Sequence, residues 1–441
     1  MPEKRQDIVR DPKVHSTDKR DDTMLNVSMR IALKSIFFAA PIFAIMCVAC
    51  LIPAGAQTKS GQGKTAPVVT SPTERAAAAE ASGKRVLMAE DVFTNVQVLK
   101  GIPVNEFMQT MGMFAASLAL NCSDCHSAEA LSDWSRYADD VPRKRTARRM
   151  ILMVNAINKA NFGGGNVVTC YTCHHNSVIP KSIPSLAEQY TTPPAPDPND
   201  VEIIPQAPSP GPSSDQILDR YIQAAGGADK LAALTSYTAK GTYQGFDTDM
   251  TAVPVDLYAK APSMRSLVIH MAYGDSFTTF NGRDGWYAGN ERPLKVLQLP
   301  LGPDLDGLKL DADLSFPGRI KQVLTKLRGG FPEATIDDRD IYVVQGFTAS
   351  GTSVKLFFDK QTGLLVRNVR FIPTPVGTVP VQVDYGDYRD IAGVKLPYQW
   401  TMTWTNGRSM AKFTELQTNV PIDNARFGQP APAPPAQTPA R

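Results

Sequence analysis

The residues of this chain with the clearest chemistry lie in two Cys-x-x-Cys-His pentads, at positions 122–126 and 170–174. In each pentad two thiols can add across the two vinyl groups of a porphyrin, and the histidine that follows then lies beneath the iron. The pentads therefore predict two covalently bound c-type haems. The predicted attachment residues and proximal iron ligands are Cys122, Cys125, Cys170, Cys173, His126 and His174.

A zinc site and a pair of disulfides are the alternatives to haem for these cysteines. A zinc site needs four ligands on closely spaced knuckles, and the separation of Cys125 from Cys170 exceeds the usual ribbon spacing. A zinc interpretation also leaves both trailing histidines unexplained. Two disulfide-forming pairs are the other alternative. Haem accounts for the thiols and the histidines together.

Methionine is the predicted sixth ligand of each iron, because histidines are scarce. The chain has five histidines, of which the pentads use two. His175 is next to a proximal ligand and points elsewhere, His15 lies in the leader, and His270 lies in the C-terminal half. A thioether ligand raises the haem potential. The candidate ligands precede the pentads and are Met108, Met111, Met113, Met150 and Met153. The alternative for each of them is that it is an apolar core residue.

Two helices are predicted to position these methionines, and each pentad is predicted to begin a short helix of its own. In NEFMQTMGMFAASLAL, one apolar face is formed at three- and four-residue spacing by Phe107, Met111, Phe114, Ala115 and Leu118. The second helix is expected to start with Asp139 or Asp140 as N-cap and Pro142 in its first turn, and to stop at the glycines 163–165. Its basic run over 143–149 either pairs with haem propionates, steers an acidic partner, or is a solvated face.

The segments EFMQTMGMFAASLALNCSDCH and RRMILMVNAINKANFGGGNVVTCYTCH resemble the cytochrome c subunit of photosynthetic reaction centres, from Val92 to Pro184. The resemblance implies Met111 as the distal ligand of the first haem iron and Met150 as that of the second, with Met153 as the alternate. It also implies an electron carrier whose partners are membrane electron-transfer complexes, a reaction centre or other cytochromes. Familiar members bind four haems, whereas this chain has two pentads, so docking on a photochemical reaction centre does not follow.

The C-terminal half predicts a different architecture. An amphipathic helix, DQILDRYIQAAGG, precedes short alternating runs separated by turn signals such as Asn281-Gly282, which indicates an antiparallel sheet. ILDRYIQAAGG, FDKQTGLLVR and YRDIAGVKLPY resemble the lipoprotein-carrier half-barrel class, which implies a lipid- or protein-binding module. We expect Val268, Phe357, Leu365 and Trp400 to face its interior, and His270 to be a satisfied sheet residue.

The N-terminal segment predicts export. Arg30 and Lys34 flank the apolar run 36–52, and Ala54-Gly55-Ala56 offers cleavage before Gln57. An uncleaved anchor is an alternative, because about 17 apolar residues can span a bilayer, and a lipidated Cys50 is another. All three predict a periplasmic protein, with membrane attachment in two of them.

The predicted fold class is multidomain α + β, with a mainly α-helical di-haem c-type cytochrome domain followed by an antiparallel β half-barrel-like domain. Composition shifts set the boundaries. The predicted order is a disordered leader 1–29, a signal peptide or membrane anchor 30–56, a flexible linker 57–88, the di-haem domain 89–188, a Pro-rich linker 189–214, the β domain with one N-terminal helix 215–427 and a disordered tail 428–441.

These features predict a periplasmic electron carrier and not an enzyme. Two other functions stay open: a di-haem peroxidase, which needs an iron with a displaceable sixth ligand, and a lipid- or lipoprotein-binding protein with a redox-sensing haem domain. A nucleic-acid partner is not expected, since the net charge is only +3.

Overall fold

The computed structural model describes residues 71–81, 83, 85–189, 191–193, 196–203, 211–330 and 332–431. The predicted leader 1–29, the export segment 30–56 and the tail beyond residue 431 lie outside these ranges. Within them, no helix is both long and apolar enough to cross a membrane.

The helices fall into two sets, one around the pentads and one packed on a sheet. The first set is α1 (Pro72–Ala81), α2 (Ala89–Val92), α3 (Val104–Leu118), α4 (Cys122–Cys125), α5 (Pro142–Asn161), α6 (Cys170–His174) and α7 (Leu186–Gln189). The second set is α8 (Ser214–Ala225), α9 (Ala228–Ala232), α10 (Pro303–Leu314) and α11 (Ile320–Val323). Short 3₁₀ turns at Ala128–Leu131 and Trp134–Ala138 follow the first pentad.

The C-terminal half forms one antiparallel sheet, as predicted. Its strands are β1 (Ser236–Gly245), β2 (Val253–Lys260), β3 (Met264–Met271), β4 (Gly274–Phe280), β5 (Gly285–Ala288), β6 (Val296–Gln298), β7 (Thr325–Gly330), β8 (Thr335–Ile336), β9 (Arg339–Phe347), β10 (Ser353–Asp359), β11 (Leu365–Thr374), β12 (Gly377–Ile391), β13 (Val394–Trp404) and β14 (Gly407–Thr418). The spatial order is β6-β5-β4-β3-β2-β1-β14-β13-β12-β11-β10-β9-β7, with β8 paired to β9. We call this sheet with α8–α11 the sheet domain.

The sheet curves around its helices. Helix α10 contacts both β3 and β11, which are six strand spacings apart in the order above. Six spacings span about 29 Å in a flat sheet, whereas a helix of 12 residues is about 18 Å long. Both strands therefore reach α10 only because the sheet bends toward it, which is the curvature expected of a half-barrel.

The sheet has two buried faces, and this corrects one expectation. Leu365 and Trp400 lie in the main core beneath α8, as predicted for interior residues. Phe357 instead packs in a separate cluster with Val343 and Val369. Val268 is buried but lines an outer groove of β3 and β4. Successive strand residues point to opposite faces, so residues chosen for their hydrophobicity alone do not share a side.

Two predicted linkers contain ordered, packed residues. Helix α1 lies within the linker predicted over 57–88, and its Ala76 is buried against Val92 and Val104. In the linker predicted over 189–214, Ile203 is buried against the sheet. Lys355 donates hydrogen bonds from its Nζ to the Asn199 and Val201 carbonyls at 2.6 and 2.9 Å. Proline content did not reveal that the sheet offers partners for this segment.

Replacing Ile203 by Ala should lower the free energy of unfolding by about 2–5 kcal/mol, because the side chain leaves a buried cluster. Its neighbour Glu202 is exposed, so Glu202→Ala is the matched control and should change stability by less than about 0.5 kcal/mol. Equilibrium denaturation in urea measures both values. Equal values for the two variants would show that residues 198–203 do not pack on the sheet.

Candidate haem site

Each pentad begins a short helix, as predicted, and each helix is closed by a reciprocal cap. At α4, the Asn121 side chain accepts from the Asp124 backbone N–H, and Asp124 accepts from the Asn121 N–H. At α6, Thr169 and Thr172 make the same exchange. A reciprocal cap satisfies two backbone donors that have no partner inside the helix. Both caps fix the direction in which the cysteines leave the backbone.

His174, the predicted second proximal ligand, is held in the tautomer that leaves its Nε2 atom available to a metal. His174 Nδ1 lies 2.9 Å from the Ser177 carbonyl oxygen. A carbonyl only accepts, so Nδ1 carries the proton and Nε2 keeps its lone pair for a metal. Metal-binding histidines commonly donate their other N–H to a carbonyl in this way.

His126, the predicted first proximal ligand, packs against an aromatic ring. His126 contacts the Tyr137 ring edge to face, with centroids 4.7 Å apart. Burial lowers the pKa of His126, the positive charge of Lys144 lowers it further, and the nearby Tyr137 carbonyl opposes both. The neutral imidazole, which is the form that ligates metals, is thereby favoured. Its buried Nδ1 has no hydrogen-bond partner among the described residues.

One cavity of about 470 Å³ joins the two pentads, a size within the usual range for cofactor sites. Both predicted proximal histidines and both predicted distal methionines line it. The pentad and methionine residues on its wall are Cys122, Cys125, His126, Cys170, His174, Met108, Met111 and Met150. Cys173, whose thiol is exposed, is not on that wall. The donor set and the volume fit haem.

Helix α3 supplies the apolar wall. The five residues predicted to share a face, Phe107, Met111, Phe114, Ala115 and Leu118, all line the cavity. Met113 points away from it and packs with Val376 and Val379 of the sheet domain. Helix α3 also packs directly on α6, so the helix that precedes the first pentad touches the second, which was not predicted.

Helix α5 places Met150 and Ile151 on the cavity wall. Met153, the alternate ligand, is 45% exposed and does not line the cavity. Pro142 begins the helix as predicted, but the predicted cap is wrong: the N-cap is Val141, and no side chain caps the helix. Asp140 instead pairs with Arg148, and Asp139 pairs with Arg136.

The basic run on α5 holds the loop around the first pentad. Arg143 donates to the Asp124 carbonyl at 2.6 Å, and Lys144 donates to the Tyr137 and Asp139 carbonyls, both at 2.8 Å. Arg148 reaches the Asn95 carbonyl at 3.2 Å. Cations near a helix N-terminus oppose the helix dipole, so these contacts offset an intrinsic cost. The loop is the partner that the sequence did not reveal.

Asn158 was missed as a structural support of the second pentad. It is 2% exposed, its Nδ2 donates to the Val168 carbonyl at 2.7 Å, and its Oδ1 accepts from the Val168 N–H at 2.9 Å. Both bonds fix the strand-like segment that enters α6. An asparagine among apolar residues near a helix end gave only a weak signal for this role.

The other candidate ligand side chains lie apart from one another. In the described ranges, no group of three or more His, Cys, Asp or Glu side chains is placed to hold a metal ion. None of the four pentad cysteines is in a disulfide, and burial raises the pKa of the Cys125 thiol and of the Cys170 thiol. His175 is exposed and packs on Tyr171, and His270 lies between Asp256 and Asp275, as expected for a satisfied sheet residue.

The sheet domain contacts the pentad region at several points. Asn105 and Gln109 on α3 donate to the buried Asp304 carboxylate of α10, at 2.7 and 3.2 Å. Asn166 donates to the Thr374 carbonyl at 2.9 Å. Burial and the charge of Asp304 raise the pKa of Glu106, which lies beside these contacts.

Known proteins match the pentad region. Residues 55–200 match the family model described as photosynthetic reaction centre cytochrome C subunit. The photosynthetic reaction center cytochrome c subunit of Thermochromatium tepidum is 37% identical over 115 residues, which are 25% of this chain and 26% of that protein. The subunit of Rubrivivax gelatinosus is 37% identical over 109 residues, 24% of this chain and 27% of that protein. The chain thus spans about a quarter of the length of these relatives.

Solved structures match the sheet domain more loosely. A LolA superfamily protein from Nitrosomonas europaea superposes with a TM-score of 0.35 and 13% identity, covering 50% of this chain and 99% of that one. A DUF1329 family protein from Desulfovibrio piger gives 0.33 and 11%, covering 48% of this chain and 96% of that one. The half-barrel form of the sheet is shown by its own strand order and curvature.

The pentads, their capped helices and the shared cavity define a region of the c-type cytochrome class. Within that class, residues 55–200 are related to the cytochrome c subunit of photosynthetic reaction centres, and the resemblance inferred from the motifs is confirmed.

Replacing Asn158 by Ala should destabilise the protein by about 1–3 kcal/mol, because the Val168 N–H and carbonyl lose their partner. Asn155 is exposed on the same helix, and Asn155→Ala brings the same gain in helix propensity. The difference between the two variants in urea denaturation therefore isolates the Val168 contacts. No difference would mean that these bonds contribute nothing.

Glu106→Gln should make the protein more stable at neutral pH. A raised pKa in the folded state gives stability that is fully present below the ordinary value of 4.5 and is lost as the pH rises through the raised pKa. Glutamine cannot ionise, so the variant should lack this loss. Unfolding free energies at several pH values measure it, with the exposed Glu415→Gln as a control that should follow the wild type.

Proposed function

We propose that this protein is a periplasmic di-haem c-type cytochrome that passes single electrons between membrane redox complexes. The observation that carries the proposal is the single cavity, which is lined by His126, His174, Met111 and Met150. A bound haem supplies an iron that cycles between ferrous and ferric states and so accepts and gives one electron. The protein residues bind the two haems, keep them close together and limit water.

Each group of residues has a distinct task in this proposal. Cys122 with Cys125, and Cys170 with Cys173, hold the haems covalently. His126 and His174 are the proximal ligands; the Ser177 carbonyl keeps the Nε2 atom of His174 available for iron. Met111 and Met150 are the distal ligands. The rings of Phe107 and Phe114 exclude water from the space between them.

The proposed partners are membrane electron-transfer complexes. The relatives are named as subunits of photosynthetic reaction centers, and the same kind of partner is a candidate here, together with other cytochromes. Export through residues 30–56, with cleavage, anchoring or lipidation, would place the protein where such complexes are reached. The sheet domain is proposed as a binding or docking module of this cytochrome.

A peroxidase is the second candidate, and ligation separates it from the carrier. A peroxidase needs an iron whose sixth position opens to peroxide, whereas Met111 and Met150 on the cavity wall offer each proposed iron a sixth ligand. We therefore expect two low-spin haems and no peroxide turnover. A high-spin haem in the full-length protein together with peroxide turnover would favour the enzyme.

The methionine assignment is tested by single substitutions in the full-length protein, with haem content measured by intact mass. Met111→Ala and Met150→Ala should each remove the thioether-to-iron absorption band of one haem and lower its potential, because the soft ligand that favours ferrous iron is lost.

Met153→Ala is the matched control on the same helix, since its side chain is exposed and off the cavity wall. It should leave both bands unchanged. Loss of a band in Met153→Ala and not in Met150→Ala would reverse the assignment of the second ligand. A chain whose mass shows one haem or none would contradict the di-haem proposal itself.

A further inference from the structure

A turn of the sheet domain reaches the haem cavity. Strands β13 and β14 are joined by Thr405 and Asn406, and Asn406 lines the cavity beside residues of α3. Among the described residues of the sheet domain, Asn406 is the one that lines this cavity. The cytochrome region alone therefore does not complete the wall.

This approach depends on a glycine in α3. A Cβ atom at Gly112 would lie 2.5 Å from Thr405 Oγ1 and 3.2 Å from Asn406 Oδ1. Real Cβ atoms do not tolerate the first distance, so any other residue at position 112 would require the Thr405 side chain or the turn itself to move. Glycine in a helix interior costs about 1 kcal/mol relative to alanine, and the close contact with the turn is what this residue permits.

A second glycine makes the reciprocal contact from the sheet side. Gly377 has φ +147°, and a Cβ there would lie 2.6 Å from Met113 Cε and 3.1 Å from Thr169 Cγ2. Thr169 is the N-cap of the second pentad helix. The β11–β12 turn is thus seated on the pentad region while the β13–β14 turn reaches the cavity, and the two contacts hold Asn406 in place.

The side chain of Asn406 is available for a ligand in this cavity. It is exposed, and the described residues provide it with no side-chain hydrogen bond. An amide offers two N–H donors and one carbonyl acceptor, and the polar edge of a haem carries carboxylates that accept such bonds. Other sheet-domain residues close to α3, such as Met402 and Trp404, pack in the apolar cluster that contains Met113.

We propose that the sheet domain is part of the haem site, and that Asn406 is a haem-contacting residue that tunes the potential of the adjacent haem. The proposal rests on the di-haem function proposed above. It assigns to the sheet domain a task beyond carrying a ligand of its own: it covers one side of the haem cavity and presents a polar group there. Hydrogen bonds, net charge and solvent exposure around a haem are the protein's means of setting its potential.

A charge series at position 406 tests the contact. Asn406→Asp should lower the midpoint potential of one haem, because a nearby negative charge stabilises ferric iron, and Asn406→Lys should raise it. The other haem should shift less. Both shifts should shrink as salt is added, since the Debye length is about 10 Å at 0.1 M. A purely structural role for Asn406 does not produce shifts of opposite sign.

Gln417 provides the matched control. It is exposed on β14, eleven residues beyond Asn406, or about 35 Å along a strand. Gln417→Glu and Gln417→Lys make the same changes in charge on the strand that follows Asn406 and should leave both potentials unchanged. Redox titration of the full-length protein at low and high salt gives all four comparisons.

The glycine contact is tested by a second pair of variants. Gly112→Ala should displace the turn, admit water to the cavity and lower a potential. Removing the clashing hydroxyl in Gly112→Ala/Thr405→Ala should restore it, which a general defect of the helix would not allow.

The outcomes separate the two proposals. A chain that carries no haem by mass overturns both. A di-haem chain whose potentials ignore Asn406→Asp and Asn406→Lys at low salt overturns this inference and leaves the electron carrier intact.

Discussion

The packing of helix α3 on two sides is the constraint on which the rest of the described chain depends. Its Phe107, Met111 and Leu118 face the haem cavity, while Met113 and Gly112 contact turns of the sheet domain. Protein interiors are close-packed, so α3 cannot shift toward one neighbour without losing contact with the other. The described residues from 71 onward belong to one compact unit, in which α3 contacts the cavity as well as strands β11 and β12 of the sheet domain.

Local periodicity predicted the face of α3 that lines the cavity. The spacing of Phe107, Met111, Phe114, Ala115 and Leu118 predicted a shared face, and all five line the cavity. The two pentads predicted two short helices, and the alternating runs predicted an antiparallel sheet. Each of these signals repeats within a few residues, because the side-chain periodicity of a helix or strand is set by its local backbone geometry.

What the sequence did not predict depends on partners that are distant or that belong to the backbone. The cations at 143, 144 and 148 bind main-chain carbonyls of three separate segments that precede α5, and every residue has a carbonyl, so nothing in the sequence marks these. Ile203 finds its cluster on the sheet, and Asn406 reaches the cavity from more than 200 residues beyond the pentads. From the sequence alone, Gly112 is only a residue of low helix propensity, whereas the structure places Thr405 directly against it.

The hydrogen-bonded cations of α5 affect the electrostatics of the cavity. The ammonium group of Lys144 donates to two carbonyls, and Arg148 is held by Asp140 and Asn95. Their charge is therefore balanced by fixed dipoles and a carboxylate at the rim, while α3 contributes an apolar wall. In the proposed di-haem protein, this apolar wall and the thioether ligands act in the same direction, toward ferrous iron. A polar group that enters from the sheet domain acts against this apolar background, where an electrostatic change is worth more than it is in water.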